Sequence, residues 1–387
     1  MKYLFVLGRN PELSAAEILS YFEREDIPVK DYFTRSNGLL IEVDRSLDVS
    51  KTINELGGTI AIGRVLISGN KEKLIKELEE KPIYFGKENK VIYSVMDFAD
   101  ENTLNDVLSA VKRNFAAERL KARYKGVSGR IKLQGGAVVA GSPEKMRLRD
   151  MTYFVFEGKE SAFGVIESSH SSEESEKRDI GKPVRRESLA ISPRLAKILI
   201  NLSQVKKKQT LLDPFCGIGV ILTEALLKEI NVIGIDIDRE AIESAKKNIE
   251  WLRGNYEIKA QAKLVNYDSR KYKLEKADGI ATEPSLSELM TKVPSRERAA
   301  EIANEFEKMM IDVLNNFEGT LEGGSKIAFS APLIKSTKGK VSCNIENILE
   351  RTGLSLCRLK YSKGVGFPIR EFREGQIVGR EFFVLTF

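Results

Sequence analysis

Apolar and polar positions alternate with two different periods over the first 65 residues of the chain. An apolar run at 3–7 predicts a strand, and apolar residues three or four apart within 14–22 predict a helix. Two further apolar stretches flank Asn37-Gly38, a dipeptide typical of hairpin turns. A second helix at 48–56 and a final strand complete the order β-α-β-β-α-β, which predicts a ferredoxin-like domain.

A second set of periodic segments follows between residues 66 and 167. Helical spacing at 71–80 and 101–119 is combined with strand patterns between and after these helices. Basic side chains interrupt the pattern, and Lys and Arg bind nucleic-acid phosphates without reading the base sequence. A solvated charged face is the alternative interpretation. The candidate RNA-binding residues are Arg119, Lys121, Arg123, Lys125, Arg147 and Arg149.

The segment at 168–188 is polar and carries Gly181 and Pro183, a composition that predicts a linker. The single histidine of the chain, His170, lies here among serines. We expect its side chain to be exposed to solvent, with a catalytic role as the less favoured alternative.

From residue 189 onward, apolar strands alternate with helices. This alternation predicts an α/β domain with a doubly wound sheet of seven strands. The first helix has Ser192 as its N-cap and Pro193 at its first position. The predicted strands are 210–213, 232–236, 263–266, 279–282, 326–330, 356–361 and 382–387, and the helices between them include 220–228 and 296–317.

One loop connects the first two of these strands. It contains Gly217 and Gly219, which permit a sharp turn and a close approach of the backbone to a ligand. The loop opens onto a helix N-terminus, where unpaired N–H groups face outward. The second strand ends on Asp236, and a carboxylate there can accept both hydroxyls of a ribose. The pattern predicts a nucleotide-like cofactor at the carboxyl ends of the strands.

Two kinds of cofactor compete for this loop. A dinucleotide site has a third glycine in the pattern Gly-x-Gly-x-x-Gly, and Leu222 stands at that position. Asp213 opens the loop, where it suits an ammonium group better than a pyrophosphate. Asp-x-Phe-x-Gly-x-Gly followed by a strand-end acid resembles the S-adenosylmethionine site of class I methyltransferases. A purely structural turn is the alternative.

Composition narrows the functional classes further. The formal charge of +6 is compatible with a polyanionic partner. With three cysteines lacking zinc-ligand spacing and one histidine, we expect no metal site and no disulfide framework. No apolar run approaches the roughly 18 residues of a membrane span, so we expect a cytoplasmic protein. Abundant Lys and Glu with scarce Gln match a hyperthermophile bias.

Three passages together resemble the archaeal tRNA guanosine-10 N2-methyltransferases: Leu56-Gly57-Gly58-Thr59-Ile60-Ala61-Ile62-Gly63, then residues 189–202, then the Asp213 loop with Asp236. The resemblance covers nearly the whole chain. It implies a ferredoxin-like domain at 1–65, a THUMP RNA-binding domain at 66–167, a linker at 168–188 and a Rossmann-like methyltransferase domain at 189–387. It also implies tRNA as the partner, and some relatives work with a small activating subunit.

The resemblance assigns cofactor contacts to particular residues. Asp213 and the glycine loop would hold the amino acid part of S-adenosylmethionine, Asp236 the ribose, and Asp268 the adenine amino group. The remaining cofactor contacts that it implies are Ser192, Phe215, Gly217, Gly219, Ile237 and Ser269.

The catalytic motif departs from the family pattern. The family has Asp-Pro-Pro-Tyr-Gly after the fourth strand, whereas this chain has Glu283-Pro284-Ser285-Leu286-Ser287. In the family, the Asp and a backbone carbonyl accept the two N–H groups of an exocyclic amine, which directs its lone pair at the methyl group. Leu286 lacks a ring on which a flipped base could stack. Glu283 and Pro284 are the catalytic candidates, with an ordinary strand-end acid as the alternative.

The sequence therefore predicts an S-adenosylmethionine-dependent tRNA methyltransferase acting on an exocyclic base nitrogen, with guanine N2 as the first choice. The altered motif leaves two alternatives open. One is an enzyme of the same fold that acts on another nucleotide or transfers another group from the same cofactor. The other is a THUMP-type tRNA-binding protein without catalysis.

Overall fold

The computed structural model describes residues 1–126, 130–133, 136–140, 150–185, 191–288 and 290–387. Two compact units are present in these residues. The N-terminal unit comprises Met1–Ala15 and Ile27–His170, and the C-terminal unit comprises Ala16–Asp26 and Ser171–Phe387. Two of the predicted RNA contacts, Arg147 and Arg149, lie outside the described residues.

The elements up to residue 170 begin with the predicted order β-α-β-β-α-β and continue with further strands and helices. In chain order they are β1 (Lys2–Leu7), α1 (Pro11–Arg24), β2 (Val29–Arg35), β3 (Gly38–Val43), α2 (Val49–Glu55), β4 (Thr59–Gly69), α3 (Lys71–Glu80), β5 (Lys90–Phe98), α4 (Glu101–Ala117), β6 (Lys121–Tyr124), β7 (Arg130–Lys132), β8 (Val138–Ala140), β9 (Asp150–Glu157) and β10 (Ser161–Ser169).

An eight-stranded sheet runs through the described part of the N-terminal unit, in the strand order β2-β3-β1-β4-β10-β9-β5-β6, and β7 and β8 pair in a separate two-stranded sheet. Strand β4 pairs with β1 on one side and with β10 on the other, antiparallel in both cases. The predicted domain boundary at residues 65 and 66 therefore falls inside a strand that the two halves share. The sequence pattern missed this continuity because it shows where a strand lies and not which strands it pairs with.

Strand β6 is an element that the sequence analysis treated only as a basic stretch. It lies at one edge of the sheet, parallel to β5, and all four of its residues are exposed. An exposed edge strand has no buried face, so it lacks the alternation that identifies strands in sequence.

Helices α3 and α4 pack together over the β5 side of this sheet, where buried residues of both contribute to one apolar cluster. The buried Asn114 of α4 donates from Nδ2 to the carbonyl oxygens of Leu78 and Lys81, at 2.8 Å each. These carbonyls lie at the end of α3, where helix geometry leaves them without a partner inside the helix.

The C-terminal unit has the alternating strands and helices that the sequence predicted. In chain order they are α5 (Ser172–Ile180), α6 (Pro193–Leu202), β11 (Thr210–Asp213), α7 (Val220–Leu227), β12 (Asn231–Asp236), α8 (Arg239–Asn255), β13 (Ala262–Asn266), β14 (Gly279–Thr282), α9 (Arg296–Asn316), β15 (Lys326–Ser336), β16 (Gly339–Ser342), α10 (Ile345–Thr352), β17 (Ser355–Leu356), β18 (Ile369–Glu371) and β19 (Val378–Thr386), with a short 3₁₀ helix at Glu318–Thr320.

The strands form a sheet whose main path is β13-β12-β11-β14-β15-β19-β17, with β16 attached to β15 and β18 attached to β19. Neighbours from β13 to β15 are parallel, and β19 is antiparallel to β15. This confirms the predicted doubly wound fold with a seven-strand path. The strand order reverses between β11 and β14, and open α/β sheets in general bind ligands at the carboxyl ends of the strands at such a reversal.

Helix α9 covers one face of this sheet. Its buried residues Ala303, Phe306 and Met310 recur at helical spacing and pack against Ile280 and Phe329 of the sheet, among others. The long helix predicted at 296–317 is confirmed, and its apolar stripe is the main contact that holds it in place.

The predicted linker at 168–188 is wrong in its central part, because residues Ser172–Ile180 form helix α5. Arg178 of this helix donates from Nε to the buried carboxylate of Glu224 at 2.7 Å. Ion pairs, and not an apolar stripe, hold α5, so hydrophobic periodicity could not reveal it. His170 is only partly buried, and its backbone N–H donates to the Ile60 carbonyl at 2.8 Å.

Residues Ala16–Asp26, most of helix α1, belong to the C-terminal unit through buried polar contacts with α6. The side chain of Asn201 donates to Glu17 Oε1 at 2.7 Å and accepts from Arg24 Nη1 at 3.0 Å. These polar residues are nearly inaccessible, and their mutual hydrogen bonds offset the cost of burying them.

Candidate cofactor and substrate site

The glycine loop between β11 and α7 takes the tight conformation that the sequence predicted. Gly217 and Gly219 have φ angles of 51° and 84°, in the left-handed region where a side chain causes strain. A Cβ atom on Gly219 would lie 3.2 Å from the Cβ of Ala245 in α8, so this glycine also permits close helix packing. A Cβ on Gly217 would meet no atom of the described residues within 4 Å, which leaves open space on the ligand side of the loop.

Asp236 stands at the carboxyl end of β12 and is tied to this loop. Its Oδ2 accepts the Gly217 N–H at 2.8 Å, and its Oδ1 accepts the Asp238 N–H at 2.9 Å. Among the described residues, each oxygen thus keeps one further lone pair that can accept a hydroxyl. Next to it, Ile237 is 69% exposed and offers an apolar surface beside the carboxylate.

Asp213, at the end of β11, is 2% exposed. Its Oδ1 accepts the Thr282 hydroxyl at 2.6 Å and the Phe215 N–H at 3.2 Å. Burial raises the pKa of this carboxyl to about 7, the two hydrogen bonds oppose that shift, and the nearby Asp236 and Glu283 carboxylates add to it. At neutral pH the protonated and ionised forms of Asp213 are therefore both populated.

Asp268 and Ser269, the two cofactor contacts predicted after β13, already have hydrogen-bond partners within the protein. Asp268 accepts hydrogen bonds from Nε and Nη2 of Arg270 at 2.9 and 2.8 Å, and this partner lowers the pKa of the carboxyl. Ser269 is buried and donates its hydroxyl to the Pro214 carbonyl, so it fixes the glycine loop. Both oxygens of Asp268 are engaged by Arg270, whose backbone N–H also donates to Oδ1 at 3.0 Å, and the Ser269 proton is already used as well.

Two other predicted contacts have mainly structural partners. Ser192 is the N-cap of α6, and its hydroxyl accepts the Leu195 N–H at 3.3 Å, as the sequence analysis expected. Phe215 is partly buried, and its ring packs against the core cluster under α9.

Glu283, the predicted catalytic carboxylate, has partners that the sequence did not indicate. Its Oε2 accepts from Arg380 Nε and from the Ser330 hydroxyl, both at 2.9 Å, and its Oε1 accepts from Arg380 Nη2 at 2.9 Å. Only 8% of the side chain is exposed. The carboxylate is thus oriented by a two-pronged ion pair, whereas the sequence analysis named Glu283 only as a catalytic candidate or an ordinary strand-end acid.

The residues after Glu283 do not replace the aromatic platform of the family motif. Pro284 is buried and Ser285 is exposed. Leu286 is partly buried and packs against the apolar cluster under α9. Its side chain therefore contributes to the core of the domain.

The sequence analysis missed Arg380 and Ser330, which lie 97 and 47 residues after Glu283. The one signal for Arg380 was a basic residue within a strand that is otherwise largely apolar. Strand alternation alone cannot say which distant side chain such a residue contacts.

The cysteines and the possible metal ligands of the described residues show no arrangement typical of a catalytic site. Cys216, Cys343 and Cys357 are free and buried, and burial raises the pKa of the Cys216 thiol far above its usual range. In the part of the chain that the structure describes, no group of three or more His, Cys, Asp or Glu side chains could hold a metal ion. Of the helices that the structure describes, none combines the length and the hydropathy required to cross a membrane.

The described basic candidates of the N-terminal unit lie in one continuous segment at and beside β6. Arg119, Lys121, Arg123 and Lys125 are all exposed. The exposed ring of Tyr124 lies among them, 5.3 Å from the ring of Tyr93. The segment is thus a basic sheet edge with one accessible aromatic ring.

Two protein families and several known proteins are similar to this chain. The family described as RMKL-like methyltransferase domain matches residues 183–316, and a DNA methylase family matches residues 28–247. The tRNA (guanine(10)-N2)-dimethyltransferase of Methanothermobacter thermautotrophicus is 34% identical over 144 residues, 37% of this chain and 39% of that relative. The enzyme of the same name from Pyrococcus abyssi is 30% identical over 261 residues, 65% of this chain and 68% of the relative.

This chain belongs to the tRNA (guanine(10)-N2)-dimethyltransferase family. The predicted family resemblance is confirmed. The aligned part of this family member spans about two fifths of the length of the Methanothermobacter relative and about two thirds of the Pyrococcus relative. Among solved structures, TrmN from Thermus thermophilus superposes with a TM-score of 0.51 at 16% identity, covering 100% of this chain and 99% of TrmN. That likeness shows a shared fold.

Proposed function

We propose that this chain is an S-adenosylmethionine-dependent tRNA methyltransferase that acts on the exocyclic N2 of guanine. The observation that carries the proposal is the joint placement of Asp236, Asp213 and the glycine loop where the strand order reverses. The names of the related proteins, which specify guanine 10 of tRNA, supply the substrate.

The residues present fit this cofactor. Asp236 has lone pairs for two ribose hydroxyls, and the open space beside Gly217 admits a ligand against the loop backbone. Asp213 is a buried carboxylate suited to a cationic amino group. Ile237 offers apolar surface to the adenine, and Asp268 would accept from its amino group in exchange for one of its contacts with Arg270. When bound, the cofactor supplies an electrophilic methyl group.

On the substrate side, we assign Glu283 the role of accepting one N–H of the guanine amine, with the Pro284 carbonyl accepting the other. Such contacts orient the nitrogen lone pair toward the methyl group, and fixed acceptors cost no reorganisation during the reaction. Arg380 and Ser330 already hold the Glu283 carboxylate, so we assign acceptance and not proton removal to it, and the proton that the nitrogen loses on gaining a methyl group would leave to solvent.

For tRNA binding, we propose the basic edge formed by Arg119, Lys121, Arg123 and Lys125, with Arg147 and Arg149 added from the sequence. These cations would bind backbone phosphates, and Tyr124 would stack on an unpaired base. We assign this edge to a THUMP-type domain at residues 66–167, between a ferredoxin-like domain and the methyltransferase domain. A cytoplasmic location follows from the tRNA substrate.

One observation favours a second candidate, a tRNA-binding protein without catalysis. The Glu283 carboxylate is largely occupied by Arg380 and Ser330, and Leu286 provides no stacking ring. This candidate predicts tRNA binding without methyl incorporation.

The test incubates the purified chain with methyl-labelled cofactor and tRNA transcripts, followed by mass spectrometry of the nucleosides. We expect N2-methylated guanosine, and none when guanine 10 is replaced by adenine. Label in a different nucleoside would support the altered-specificity alternative, and binding without label would support the inactive one. Activity of the chain alone would show that no small activating subunit is needed.

A further inference from the structure

The ion pair between Arg380 and Glu283 is largely buried. The side chains are 22% and 8% exposed, and the guanidinium fork contacts both carboxylate oxygens. Replacing a buried ion pair by apolar residues is often neutral or even stabilising, so stability is a weak reason for its presence. Its place directly after β14, at the reversal of strand order, suggests a role in the reaction.

The contacts with Arg380 and Ser330 leave one acceptor position of the Glu283 carboxylate open among the described residues. A carboxylate has about four acceptor positions. Among the described residues, Arg380 and Ser330 fill three of them, two on Oε2 and one on Oε1. The open position is on Oε1, and the two-pronged contact fixes the plane of the carboxylate and therefore the direction of that lone pair.

The side chains of Thr282, the last residue of β14, and of Glu283, which follows it, have different partners. Thr282 donates its hydroxyl to Asp213, whereas Glu283 contacts Ser330 and Arg380. Successive residues of a strand point to opposite faces, so β14 delivers one contact to the cofactor side and the next to the substrate side.

We propose that Arg380 is a positioning residue that, with Ser330, holds Glu283 so that one lone pair of Oε1 accepts an N–H of the acceptor amine. This inference rests on the proposed function. A single fixed acceptor serves a primary amine and also the secondary amine left by a first methylation, which has only one N–H. The second methylation then depends more strongly on Arg380 than the first, because the Pro284 carbonyl has lost its partner.

The test compares Arg380→Gln, Arg380→Lys and Ser330→Ala with a matched control, Arg370→Gln. Arg370 on β18 is 63% exposed and donates to the buried Glu381 at 2.7 Å, and Glu381 follows Arg380 on β19, so the control removes another arginine–glutamate pair, from the opposite face of the same sheet. The measurements are kcat, KM for tRNA and cofactor, the ratio of dimethylated to monomethylated guanosine, and the melting temperature.

We expect kcat to fall about 10- to 100-fold in Arg380→Gln, the range seen when groups that orient an active side chain are removed. KM should stay within about twofold, because the contact acts in the transition state. Arg380→Lys should recover part of kcat while shifting products toward the monomethylated form, since a lysine keeps the charge without the fork. Ser330→Ala should show the same shift more weakly, and Arg370→Gln should keep the kcat and the product ratio of the unchanged protein.

An unchanged kcat and product ratio in Arg380→Gln would overturn the inference while leaving the proposed function intact. Should Arg380→Gln fail to fold, unchanged kinetics and products in both Arg380→Lys and Ser330→Ala would overturn it equally. An equal loss in Arg370→Gln would also overturn it, because the effect would then belong to the sheet in general. An unmodified chain that methylates no tRNA defeats the proposed function and this inference together.

Discussion

The two sides of the candidate site are built in contrasting ways from one edge of the same sheet. On the cofactor side, Asp213, Gly217 and Asp236 lie within one strand-loop-helix-strand segment, and Asp236 holds the loop through a backbone N–H. On the substrate side, Glu283 is held by side chains of Ser330 and Arg380 from two other strands. The cofactor side is thus local and the substrate side is assembled from distant residues.

The two sides also differ in charge balance. Asp213 and Asp236 contact hydroxyl and backbone donors but no cation among the described residues. Glu283, by contrast, is neutralised by Arg380. Carboxylates without a neighbouring cation attract a cationic ligand. A carboxylate paired with an arginine has little net charge and instead offers hydrogen bonds of fixed direction. Under the proposed function, this comparison assigns binding of a sulfonium cofactor and orientation of a neutral base to separate groups of residues.

The largest expected effect comes from removing the carboxylate on the cofactor side. Asp236→Ala deletes two charge-assisted hydrogen bonds to the cofactor, each worth roughly 1.5–3 kcal/mol, so the affinity should fall about 100- to 10,000-fold. Titration calorimetry with S-adenosylmethionine measures this directly. Asp238→Asn is the control, since it changes an exposed N-cap to another good one. Affinity within about threefold of the unchanged protein would contradict the assignment.

A smaller effect is expected on the substrate side, in the rate of methyl transfer and not in the affinity for the cofactor. Glu283→Gln keeps the shape but loses the charge and points an amide N–H₂ toward Arg380 or the substrate. Methyl transfer should fall about 100-fold, as when one oriented polar group is removed from a transition-state contact. Cofactor affinity should be nearly unchanged. Full activity of this variant in a labelled-methyl assay would show that Glu283 has no part in the reaction.

A third effect separates the two sides by pH. Because the folded Asp213 pKa is about 7 and an ordinary Asp has about 3.9, folding favours the protonated form. The stability that this proton provides is fully present below about pH 4 and is lost as the pH rises through about 7. A cationic cofactor selects the ionised form, so its affinity should rise up to about tenfold per pH unit between pH 5 and 7, then level off.

Calorimetric titrations across this range, on the unchanged protein and on Asp213→Asn, measure the effect. The variant should bind more weakly at pH 8 and show a flat profile. An equally steep profile in Asp213→Asn would place the titrating group elsewhere.

The sequence predicted the features that depend on neighbours in the chain. The glycine loop, Asp236 at the end of β12 and the Ser192 N-cap of α6 all follow from local spacing and backbone chemistry. The seven-strand path of the C-terminal sheet follows from the alternation of strands and helices, and the structure confirms it.

Features that depend on distant contacts escaped prediction. Arg380 meets Glu283 only because β15 lies between β14 and β19, and no local pattern encodes that order. Helix α5 is held by the ion pair from Arg178 to Glu224, and the exposed strand β6 has no buried face. In each case the missing information was the identity of a partner far away in sequence.

The central claim is that the methyl donor binds between Asp213 and Asp236, against the Gly217 loop. The most direct test is a crystal structure of the protein soaked with S-adenosylhomocysteine, the demethylated product. We predict ribose hydroxyls within hydrogen-bonding distance of both Asp236 carboxylate oxygens and the amino group directed at Asp213. A fully soaked crystal with that crevice empty, or with the ligand bound at another edge of the sheet, would contradict the account.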